Sequence, residues 1–336
     1  MKKIILSLVI ALTTVSLYAQ IDRSTMPEAG PAPTINLEEP IRFELKNGLT
    51  VMVVENHKLP RVSIQLSIDN PPSLEGEKAG VSSLAAGLLG NGSTNISKDA
   101  FNEEVDFLGA SLNFGASSAF ASSLSKYFPR ILELMADAAI NPNFTEEEFQ
   151  KEKEKLLTGL KSQEKDVSAM AGRVQSAIAY GKEHPYGEFA TEETVNKVSL
   201  EDAKKFYQTY FNPNNAYLVI IGDVDTKAVK KLVKKHFNSW EKGAQVLTNW
   251  KNPATASQAT INFIDMPNAV QSEVSVQNVV KLQMKDPDYL PTLMANRILG
   301  GGGSARLFQN LREDKAYTYG SYSSIGNSKY VPSRFR

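Results

Sequence analysis

The stretch Gly80-Val81-Ser82-Ser83-Leu84-Ala85-Ala86-Gly87-Leu88 marks the point where the hydrophobic pattern of this chain changes its period. Before it, apolar and polar residues alternate in Ile41–Leu45, Leu49–Val54 and Val62–Ile68, which is the pattern of half-buried strands. Asn47-Gly48 supplies a two-residue hairpin turn between the first two strands. From Gly80 onward the period is helical. The sequence therefore predicts an α/β fold with mostly antiparallel sheets packed with helices.

Helix and strand signals continue through the first 245 residues. Thr145-Glu146-Glu147-Glu148 has the form of a capping box and begins a long amphipathic run, which Pro185 ends. The other predicted helices lie near 98–108 and 125–140, from Ser199 onward and at Thr226–Trp240, and a further predicted strand is Tyr217–Ile221.

The second part of the chain repeats this order. Predicted strands at Thr260–Phe263 and Ser272–Gln277 precede a helix at Leu290–Leu299, which ends in the glycine turn Gly300-Gly301-Gly302-Gly303-Ser304. The first part likewise runs from its helix into Gly90-Asn91-Gly92-Ser93. The ordered recurrence predicts a duplication on the scale of a domain rather than a solenoid.

The two copies differ in length, which sets the predicted domain boundaries. The first copy covers residues 41–245, a linker covers 246–258, and the second copy covers 259–336. Strand signals still accumulate near the end of the chain, in Ser321–Ser324 and Tyr330–Val331. We expect two homologous domains, the second one truncated. Because truncation would leave apolar strand surface uncovered, we expect the chain alone to be marginally stable or to aggregate.

The N-terminus has the pattern of a secretory signal peptide. Lys2 and Lys3 precede a mostly apolar stretch, Ile4–Val15, and Ser16-Leu17-Tyr18-Ala19 offers a cleavage site. Residues 1–19 are therefore predicted to be a signal peptide, and the proline-rich residues 20–40 an extended lead-in. Because the apolar stretch is too short to span a bilayer comfortably, we expect export to the periplasm or cell envelope without stable membrane insertion.

The composition is that of an ordinary globular protein, with 42% hydrophobic and 22% charged residues. Lysine plus arginine and aspartate plus glutamate number 37 each, so no overall charge favours a nucleic-acid partner. The chain contains no cysteine, which excludes disulfides and the acylation of a lipoprotein. An exported protein of this kind depends on its hydrophobic core for stability.

The order of motifs after residue 40 resembles the insulinase/pitrilysin metallopeptidases, the inverzincins. The resemblance rests on the Gly80–Leu88 helix and on short matches that follow in the family's order. These matches are Leu108-Gly109-Ala110-Ser111, His184-Pro185-Tyr186-Gly187, Tyr217–Asp225, Phe237-Asn238-Ser239-Trp240, Gly300–Leu307, Leu311-Arg312-Glu313 and Ala316-Tyr317-Thr318-Tyr319-Gly320.

In active members of that family, an H-x-x-E-H helix binds zinc through its two histidines, and its glutamate acts as base toward the metal-bound water. The matching positions of this chain hold Ser83, Ala86 and Gly87. The third zinc ligand of active members is a glutamate seven residues after another glutamate. Here Glu152 matches the earlier glutamate, and Gly159 stands at the ligand position. None of these vacated positions offers a good zinc ligand, so the resemblance implies a subunit without bound metal.

Other residues give little alternative for metal binding. His57, His184 and His236 are far apart in sequence, and no cysteine accompanies them. We interpret His57 and His236 as surface residues, His184 as part of a structural turn, and Glu152 as part of a solvated helix face. A zinc site assembled from the three histidines is an alternative that metal analysis would decide.

The resemblance retains one pair of residues that act in catalysis in active relatives. There the second domain supplies an arginine and a tyrosine, seven residues apart, which hold substrate carbonyls and stabilise the oxyanion. Arg312 and Tyr319 match these positions. Some relatives are heterodimers in which one subunit carries zinc and the other this pair, and this chain resembles the second kind. The resemblance thus implies a zinc-bearing homologous partner, peptide substrates, and Arg312 and Tyr319 acting in trans. Alternatively, Arg312 is a helix-end cation and Tyr319 a strand aromatic.

We interpret Gly300, Gly301, Gly302 and Gly303 as a flexible loop at the cleft. A phosphate-binding loop is the alternative, but the motif G-x-x-x-x-G-K-[ST] is absent, because Ala305-Arg306 follows Ser304. Three functions stay open on sequence alone. They are a non-zinc subunit of an exported heteromeric metallopeptidase, a catalytically inert scaffold or assembly subunit, and an independent zinc metalloendopeptidase. Retention of the arginine and tyrosine favours the first function, and the third requires ligands that this sequence lacks.

Overall fold

The computed structural model describes residues 39–336 except 249, 254 and 327, together with residues 30, 31 and 34. The predicted signal peptide and most of the predicted lead-in lie outside the described residues. The strands are β1 Ile41–Glu44, β2 Thr50–Glu55, β3 Arg61–Ile68, β4 Ser111–Gly115, β5 Ser118–Leu124, β6 Ala216–Gly222, β7 Asn278–Val280 and β8 Ser333–Phe335.

Ten α-helices accompany these strands in the described part of the chain. They are α1 Val81–Leu88, α2 Lys98–Phe107, α3 Phe128–Ile140, α4 Glu146–Gln163, α5 Val167–Tyr180, α6 Glu192–Lys197, α7 Leu200–Tyr210, α8 Thr226–Phe237, α9 Tyr289–Gly300 and α10 Arg306–Phe308. A π-helical segment, Gln309–Asp314, follows α10 directly.

Six strands form one sheet in the order β1-β2-β6-β3-β5-β4. Neighbouring strands are antiparallel except β2 and β6, which are parallel. Strands β7 and β8 form a separate antiparallel pair. The predicted fold, α/β with mostly antiparallel sheets packed with helices, is confirmed.

One face of the six-stranded sheet carries the main hydrophobic core. Val62, Ile64 and Leu66 of β3 point to this face and are at most 1% exposed. They pack with the inward residues of β2, β5 and β6 against α3 and α8. Because burial of each such side chain contributes about 1.5–3 kcal/mol, this layer dominates the stability of the sheet.

A second apolar cluster lies where α1 meets α4 and α7. Leu84 and Leu88 of α1 are 1% exposed and belong to this cluster with Phe149 of α4 and Ala203 of α7. The apolar residues of α1 therefore fix which face of the helix is turned inward.

The long amphipathic run after Thr145 forms two helices rather than one. Helix α4 ends at Gln163, and α5 begins after Asp166, whose carboxylate accepts a hydrogen bond from the Ala169 N–H at 2.7 Å. Aspartate is a preferred N-cap because it satisfies an otherwise unpaired N–H of the first helical turn. Asp166 thereby starts a new helix within a sequence whose apolar spacing continues.

The predicted capping box at Thr145 is half formed. The Thr145 side chain accepts a hydrogen bond from the Glu148 N–H at 3.3 Å, as expected for an N-cap. The Glu148 carboxylate instead binds the ammonium groups of Lys98 and Lys151. In a complete capping box the Glu148 carboxylate would accept a hydrogen bond from the Thr145 N–H. Here it binds Lys98, on α2, instead.

The strands predicted in the second part of the chain are wrong. Thr260–Phe263 and Ser272–Gln277 are irregular, and Ser321–Ser324 and Tyr330–Val331 also lie outside strands. A strand needs a neighbour for its backbone hydrogen bonds. Among the described residues of this region, β7 and β8 form the only ladder, and Ile325 adds a single bridge to Phe335. The alternating pattern alone could not supply that neighbour. The domain boundaries and the truncation of the second copy stay predictions.

Large apolar side chains of this region are exposed as a result. Ile261 and Phe263 are 97% and 89% exposed, and Val274 and Val276 exceed 80%. The stripe Leu290, Met294 and Ile298, spaced four residues apart on α9, is more than half exposed. Exposed apolar surface of this kind promotes association.

We expect the purified chain, when alone, to self-associate at ordinary temperature because this apolar surface is uncovered. The measurement is light scattering of the full chain, compared with an Ile261→Lys/Phe263→Lys variant. The variant should scatter less, while its far-ultraviolet circular dichroism stays unchanged because neither side chain belongs to the core. A monomeric wild-type chain with a cooperative thermal transition would contradict this expectation.

Candidate functional site

Ser83, Ala86 and Gly87 lie together on the outward face of α1. Ser83 is exposed and the other two are half-buried, while the apolar residues of the helix face inward. Residues three and four apart are neighbours on a helix surface. This solvent-facing side of the helix is the one on which the resemblance places two zinc ligands and a base. In this chain its side chains are the hydroxymethyl group of Ser83, the methyl group of Ala86 and the hydrogen of Gly87.

The side chain of Glu152, on α4, lies over Gly87. A Cβ at position 87 would be 2.6 Å from the Glu152 Oε2 atom, so the carboxylate occupies the space of a side chain there. Glu152 is 22% exposed, and its carboxylate is 3.4 Å from the Lys155 ammonium. The expectation that Glu152 lies on a solvated helix face is wrong, because the absent side chain of Gly87 lets it fold against α1.

Gly159 lies two helical turns beyond Glu152 on α4. A Cβ at this position would meet no atom within 4 Å, so the third ligand position opens onto free space. Within the described residues, no group of three or more histidines, aspartates and glutamates is arranged to hold a metal ion. Of the four positions that the resemblance assigns to the metal site, Ser83, Ala86, Gly87 and Gly159, none carries a good zinc ligand.

Two carboxylates fix the beginning of α1. Glu75 Oε2 accepts a hydrogen bond from the Gly80 N–H at 2.7 Å, and Gly80 has a φ of 109°, a left-handed conformation that favours glycine. Glu188 in turn accepts hydrogen bonds from the N–H groups of Glu75 and Gly76, both at 2.9 Å. Burial raises the pKa of Glu188, although the two donors oppose that effect. The loop before α1 is thus tied to the turn that contains His184.

Strand β4 is an edge of the six-stranded sheet and lies beside α1. Among the described residues it pairs only with β5, so the N–H and C=O groups of its other edge face away from the sheet. Gly109, in the motif before β4, has a φ of 57° and ends α2 in the left-handed conformation. An edge of this kind can pair with an extended peptide.

His57 and His236 are not arranged for metal binding. His57 is 61% exposed, with Nδ1 2.7 Å from Asp223 Oδ1 and Nε2 3.6 Å from Glu55 Oε2. The hydrogen bond with Asp223 is the main reason that the pKa of His57 is raised. His236, on α8, is half-buried, and burial lowers its pKa. His57 is a surface residue as expected, whereas His236 is more enclosed than the sequence indicated.

His184 is a structural residue, as the sequence indicated. It is 2% exposed, and its Nδ1 accepts a hydrogen bond from the Tyr186 N–H at 3.1 Å. Its ring lies 5.1 Å from that of Tyr180 and 4.7 Å from that of Trp250, between centroids. Burial lowers the pKa of His184, so the neutral imidazole is favoured. The turn docks the predicted linker, through Trp250, onto the first part of the chain.

Arg312 and Tyr319 are both displayed to solvent. The Arg312 guanidinium lies 4.8 Å from the centroid of the Phe308 ring, and its Nη1 is 2.9 Å from Glu313 Oε1. Tyr319 follows in an irregular segment and is 85% exposed. In the described part of the chain, no hydrogen bond or ion pair joins either side chain to α1. The structure therefore does not assemble the two residues with the vacated zinc face.

The glycine turn after α9 begins with a close backbone contact. The Ser323 N–H donates to the Gly300 carbonyl at 3.0 Å, and a Cβ at Gly300 would collide with Ser323. Gly303 has ordinary space around it. The absence of a side chain at Gly300 therefore allows its backbone to approach that of Ser323 closely. The flexibility of the whole loop stays a prediction.

The structure also contains a cleft that the sequence did not predict. It has a volume of about 630 Å³ and lies between α5 and the segment around β8, with Tyr180, Tyr330, Arg334 and Arg336 among its lining residues. Burial lowers the pKa of Arg334. These residues share no motif or spacing, so no sequence signal could have grouped them.

The helices of the described residues are all too short or too polar to cross a bilayer.

Comparison with known families assigns most of the chain. Residues 50–187 match the family model described as insulinase (peptidase family M16), and residues 197–334 match the one described as peptidase M16 inactive domain. The chain belongs to the insulinase, or M16, peptidase family and lacks the family's zinc motif. The resemblance that the sequence indicated is confirmed.

Individual relatives are distant but extensive in their coverage. A Bacillus subtilis protein named uncharacterized zinc protease YmxG is 24% identical over 288 residues, which cover 84% of this chain and 69% of that protein. A Helicobacter pylori protein named non-peptidase homolog YmxG is 22% identical over 285 residues, covering 83% of this chain and 65% of that protein. A crystal structure of a peptidase M16 inactive domain from Pseudomonas fluorescens has a TM-score of 0.76 and 23% identity, covering 89% of this chain and 73% of that one. The structural likeness confirms the fold.

Replacing three of the vacated positions should create a zinc site. We expect Ser83→His/Gly87→His/Gly159→Glu to bind about one zinc ion per chain, because the histidines fall one helical turn apart and Gly159 has room for a carboxylate. The histidine at position 87 requires the Glu152 carboxylate to swing aside. The measurement is equilibrium dialysis against zinc followed by elemental analysis.

The matched control is Ser82→His/Gly87→His/Gly159→Glu, in which the two histidines are five residues apart and no longer share a face. The control should not retain stoichiometric zinc. The contradicting result is a folded Ser83→His/Gly87→His/Gly159→Glu variant that binds no more zinc than this control. It would mean that the backbone positions of α1 and α4, and not only their side chains, no longer suit a metal site.

Proposed function

We propose that this chain is the non-zinc subunit of an exported insulinase-family metallopeptidase. In this proposal it pairs with a zinc-bearing homologue and offers Arg312 and Tyr319 in trans. The observation that carries the proposal is the separation of the two halves of the site. The metal-binding face of α1 has lost its donors, while Arg312 and Tyr319 are retained and displayed to solvent.

The roles of the two residues follow from their chemistry. Arginine is always charged and presents a planar fork of N–H donors, and tyrosine presents one O–H donor. Donors of this kind stabilise the oxyanion that develops when a metal-bound water attacks a peptide carbonyl. The stacking of Arg312 on Phe308 supports the proposal, because it restricts the guanidinium without using all of its donors. The chemistry supplied by zinc would come from the partner subunit.

The proposed substrates are short or unfolded peptides. An extended peptide can add to the outer edge of β4 as a further strand, with main-chain hydrogen bonds providing affinity irrespective of sequence. The edge lies beside α1, so a peptide held there would run past the face formed by Ser83, Ala86 and Gly87. The predicted signal peptide at residues 1–19 supports export of the subunit to the periplasm or cell envelope.

A catalytically inert scaffold or assembly subunit is the second candidate. The name of the Helicobacter pylori relative, non-peptidase homolog YmxG, favours this alternative. The same α1 surface without donors is compatible with it. The two candidates differ in whether Arg312 and Tyr319 affect hydrolysis by any zinc-bearing partner.

The test is to co-express the chain with a zinc-bearing homologue from the same genome, purify the complex, and measure peptide hydrolysis. We expect Arg312→Ala and Tyr319→Phe each to lower kcat by about 100-fold, the usual effect of removing one oxyanion donor. Arg306→Ala and Tyr317→Phe are matched controls, since both residues are exposed in the same region and neither matches the family's pair.

The controls should leave kcat within about twofold of the wild type, since exposed side chains away from a site have small effects. If the complex forms and hydrolyses peptide at the same rate with Arg312→Ala and Tyr319→Phe, the in-trans role is wrong. If no complex with any zinc-bearing homologue hydrolyses peptide, the scaffold alternative is favoured.

A further inference from the structure

The cleft between α5 and the segment around β8 is lined by cations and hydroxyl groups. It has a volume of about 630 Å³, and its basic residues are Lys329, Arg334 and Arg336. Among the lining residues that the structure describes, none is aspartate or glutamate. Lys329 is paired with Asp69, which is not a lining residue. The two arginines have no ion-pair partner in the described part of the chain, so the cleft carries uncompensated positive charge.

Two elements of regular structure place the polar groups of the cleft. Ser176 and Tyr180 are one helical turn apart on α5, so they share a face of the helix. Arg334 and Arg336 are two residues apart, and side chains with this spacing lie on the same side of an extended chain. The backbone N–H and C=O groups of Arg336 pair with those of Ser324 at 2.9 and 2.8 Å, which holds Arg336 in the extended chain. Hydroxyl groups of a helix thus lie beside guanidinium groups of a strand.

Serine side chains orient both guanidinium groups. Arg334 Nη1 donates a hydrogen bond to Ser176 Oγ at 3.2 Å, and Arg336 Nε donates one to Ser324 Oγ at 3.1 Å. A guanidinium has five N–H donors, so each arginine keeps donors that have no partner among the described residues. Each serine accepts a hydrogen bond and keeps its own hydroxyl proton to donate. The cleft therefore offers several free donors, which is what a bound anion requires.

The electrostatics of Arg334 are those of a cation without its counterion. Arg334 is half-buried, and burial and then the charge of Arg336 lower its pKa. Burial raises the pKa of Tyr180, so its hydroxyl keeps the proton that it can donate. Arg130, which is also half-buried, instead has both oxygens of the Glu104 carboxylate at 2.6 and 2.7 Å. An anion between Arg334 and Arg336 would offset their repulsion in the same way.

The size and lining of the cleft indicate which anion fits. The planar guanidinium fork matches both carboxylate and phosphate, because each can accept two parallel hydrogen bonds. A cleft of about 630 Å³ is much larger than a phosphate ion, however. Tyr180, Tyr186 and Tyr330 also line it, and their rings give apolar surface to the groups next to the anion. These features favour a carboxylate carried on a larger organic molecule.

We propose that this cleft binds the carboxylate group of a peptide between Arg334 and Arg336, with the adjoining residues of the peptide against the tyrosine rings. The carboxylate belongs to the C-terminus of the peptide or to an acidic side chain. That the ligand is a peptide rests on the proposed function. The carboxylate site itself requires neither Arg312 and Tyr319 nor a zinc-bearing partner.

The test is isothermal titration calorimetry of the full chain carrying Ile261→Lys/Phe263→Lys, which limits self-association. Three N-acetylated pentapeptides of Ala, Ser and Val are compared. The first has a free C-terminal carboxylate, the second a C-terminal amide, and the third a C-terminal amide and one internal Glu. At least one of the two carboxylate peptides should bind at least about tenfold more tightly than the neutral amide, because charge-assisted hydrogen bonds are the stronger ones. The peptide that does so identifies the source of the carboxylate.

Substitution of either arginine separates recognition of the carboxylate from the rest of the binding. Arg334→Gln and Arg336→Gln should each weaken the carboxylate peptide by about tenfold and leave the neutral amide unchanged. Misfolding would affect both peptides alike, and Arg336 is exposed, so its replacement should leave the fold intact even if Arg334→Gln does not fold. The matched controls are Arg173→Gln, half-buried on α5, and Arg306→Gln, exposed. Neither residue lines the cleft, and neither control should change binding.

Equal binding of the three peptides, or unchanged binding in both cleft variants, would overturn the inference. So would inorganic phosphate that binds more tightly than both carboxylate peptides, because the cleft would then be a phosphate site. The assay measures binding to the chain alone. Its failure is therefore distinct from a failure of the proposed in-trans catalysis, which is measured as hydrolysis by the complex.

Discussion

Burial of the apolar side of α1 against α4 and α7 is the constraint on which the rest of the site depends. Leu84 and Leu88 are almost fully enclosed by this packing, so the helix has one orientation available. Glu75 and Glu188 hold the loop at its beginning. The outward residues Ser83, Ala86 and Gly87 consequently have one orientation, on the face where the resemblance places two zinc ligands and a base. None of the three side chains is a good zinc ligand.

Much of the first part of the fold could be predicted from the sequence, and the reasons are physical. β3 alternates strictly because, in the described part of the chain, one side of this strand is buried and the other is not. Helices α1 and α8 show the helical period because each buries one side. The break between α4 and α5 was missed because the apolar spacing continues across Asp166, and only its capping role ends the first helix. The strands predicted at Thr260–Phe263 and Ser272–Gln277 failed because a strand requires a partner that its own sequence does not encode.

In the candidate site, too, the identity of each residue could be predicted from the sequence, whereas contacts between helices could not. The vacancies at Ser83, Ala86, Gly87 and Gly159 are visible in the sequence, because ligand identity is a property of single residues. The position of Glu152 over Gly87 could not be foreseen, since it depends on how α4 approaches α1. The cleft between α5 and the segment around β8 was missed as well, because its lining residues come together only in the folded chain.

A division of labour connects these features. In the proposed function, a chain without metal donors holds a peptide at the β4 edge and presents donors to a reaction centred on a zinc-bearing partner. This proposal requires that the sheet be rigid where it holds the peptide and that the donor side chains be exposed where they meet the partner. The core beneath the sheet provides the first, and the exposed Arg312 and Tyr319 provide the second.

The absence of a functional metal site in this chain is tested most directly by elemental analysis of the purified full chain after dialysis against zinc, combined with a peptide cleavage assay of the chain alone. The account predicts no stoichiometric zinc and no hydrolysis. One tightly bound transition-metal ion per chain, together with hydrolysis in the absence of a partner, would contradict it.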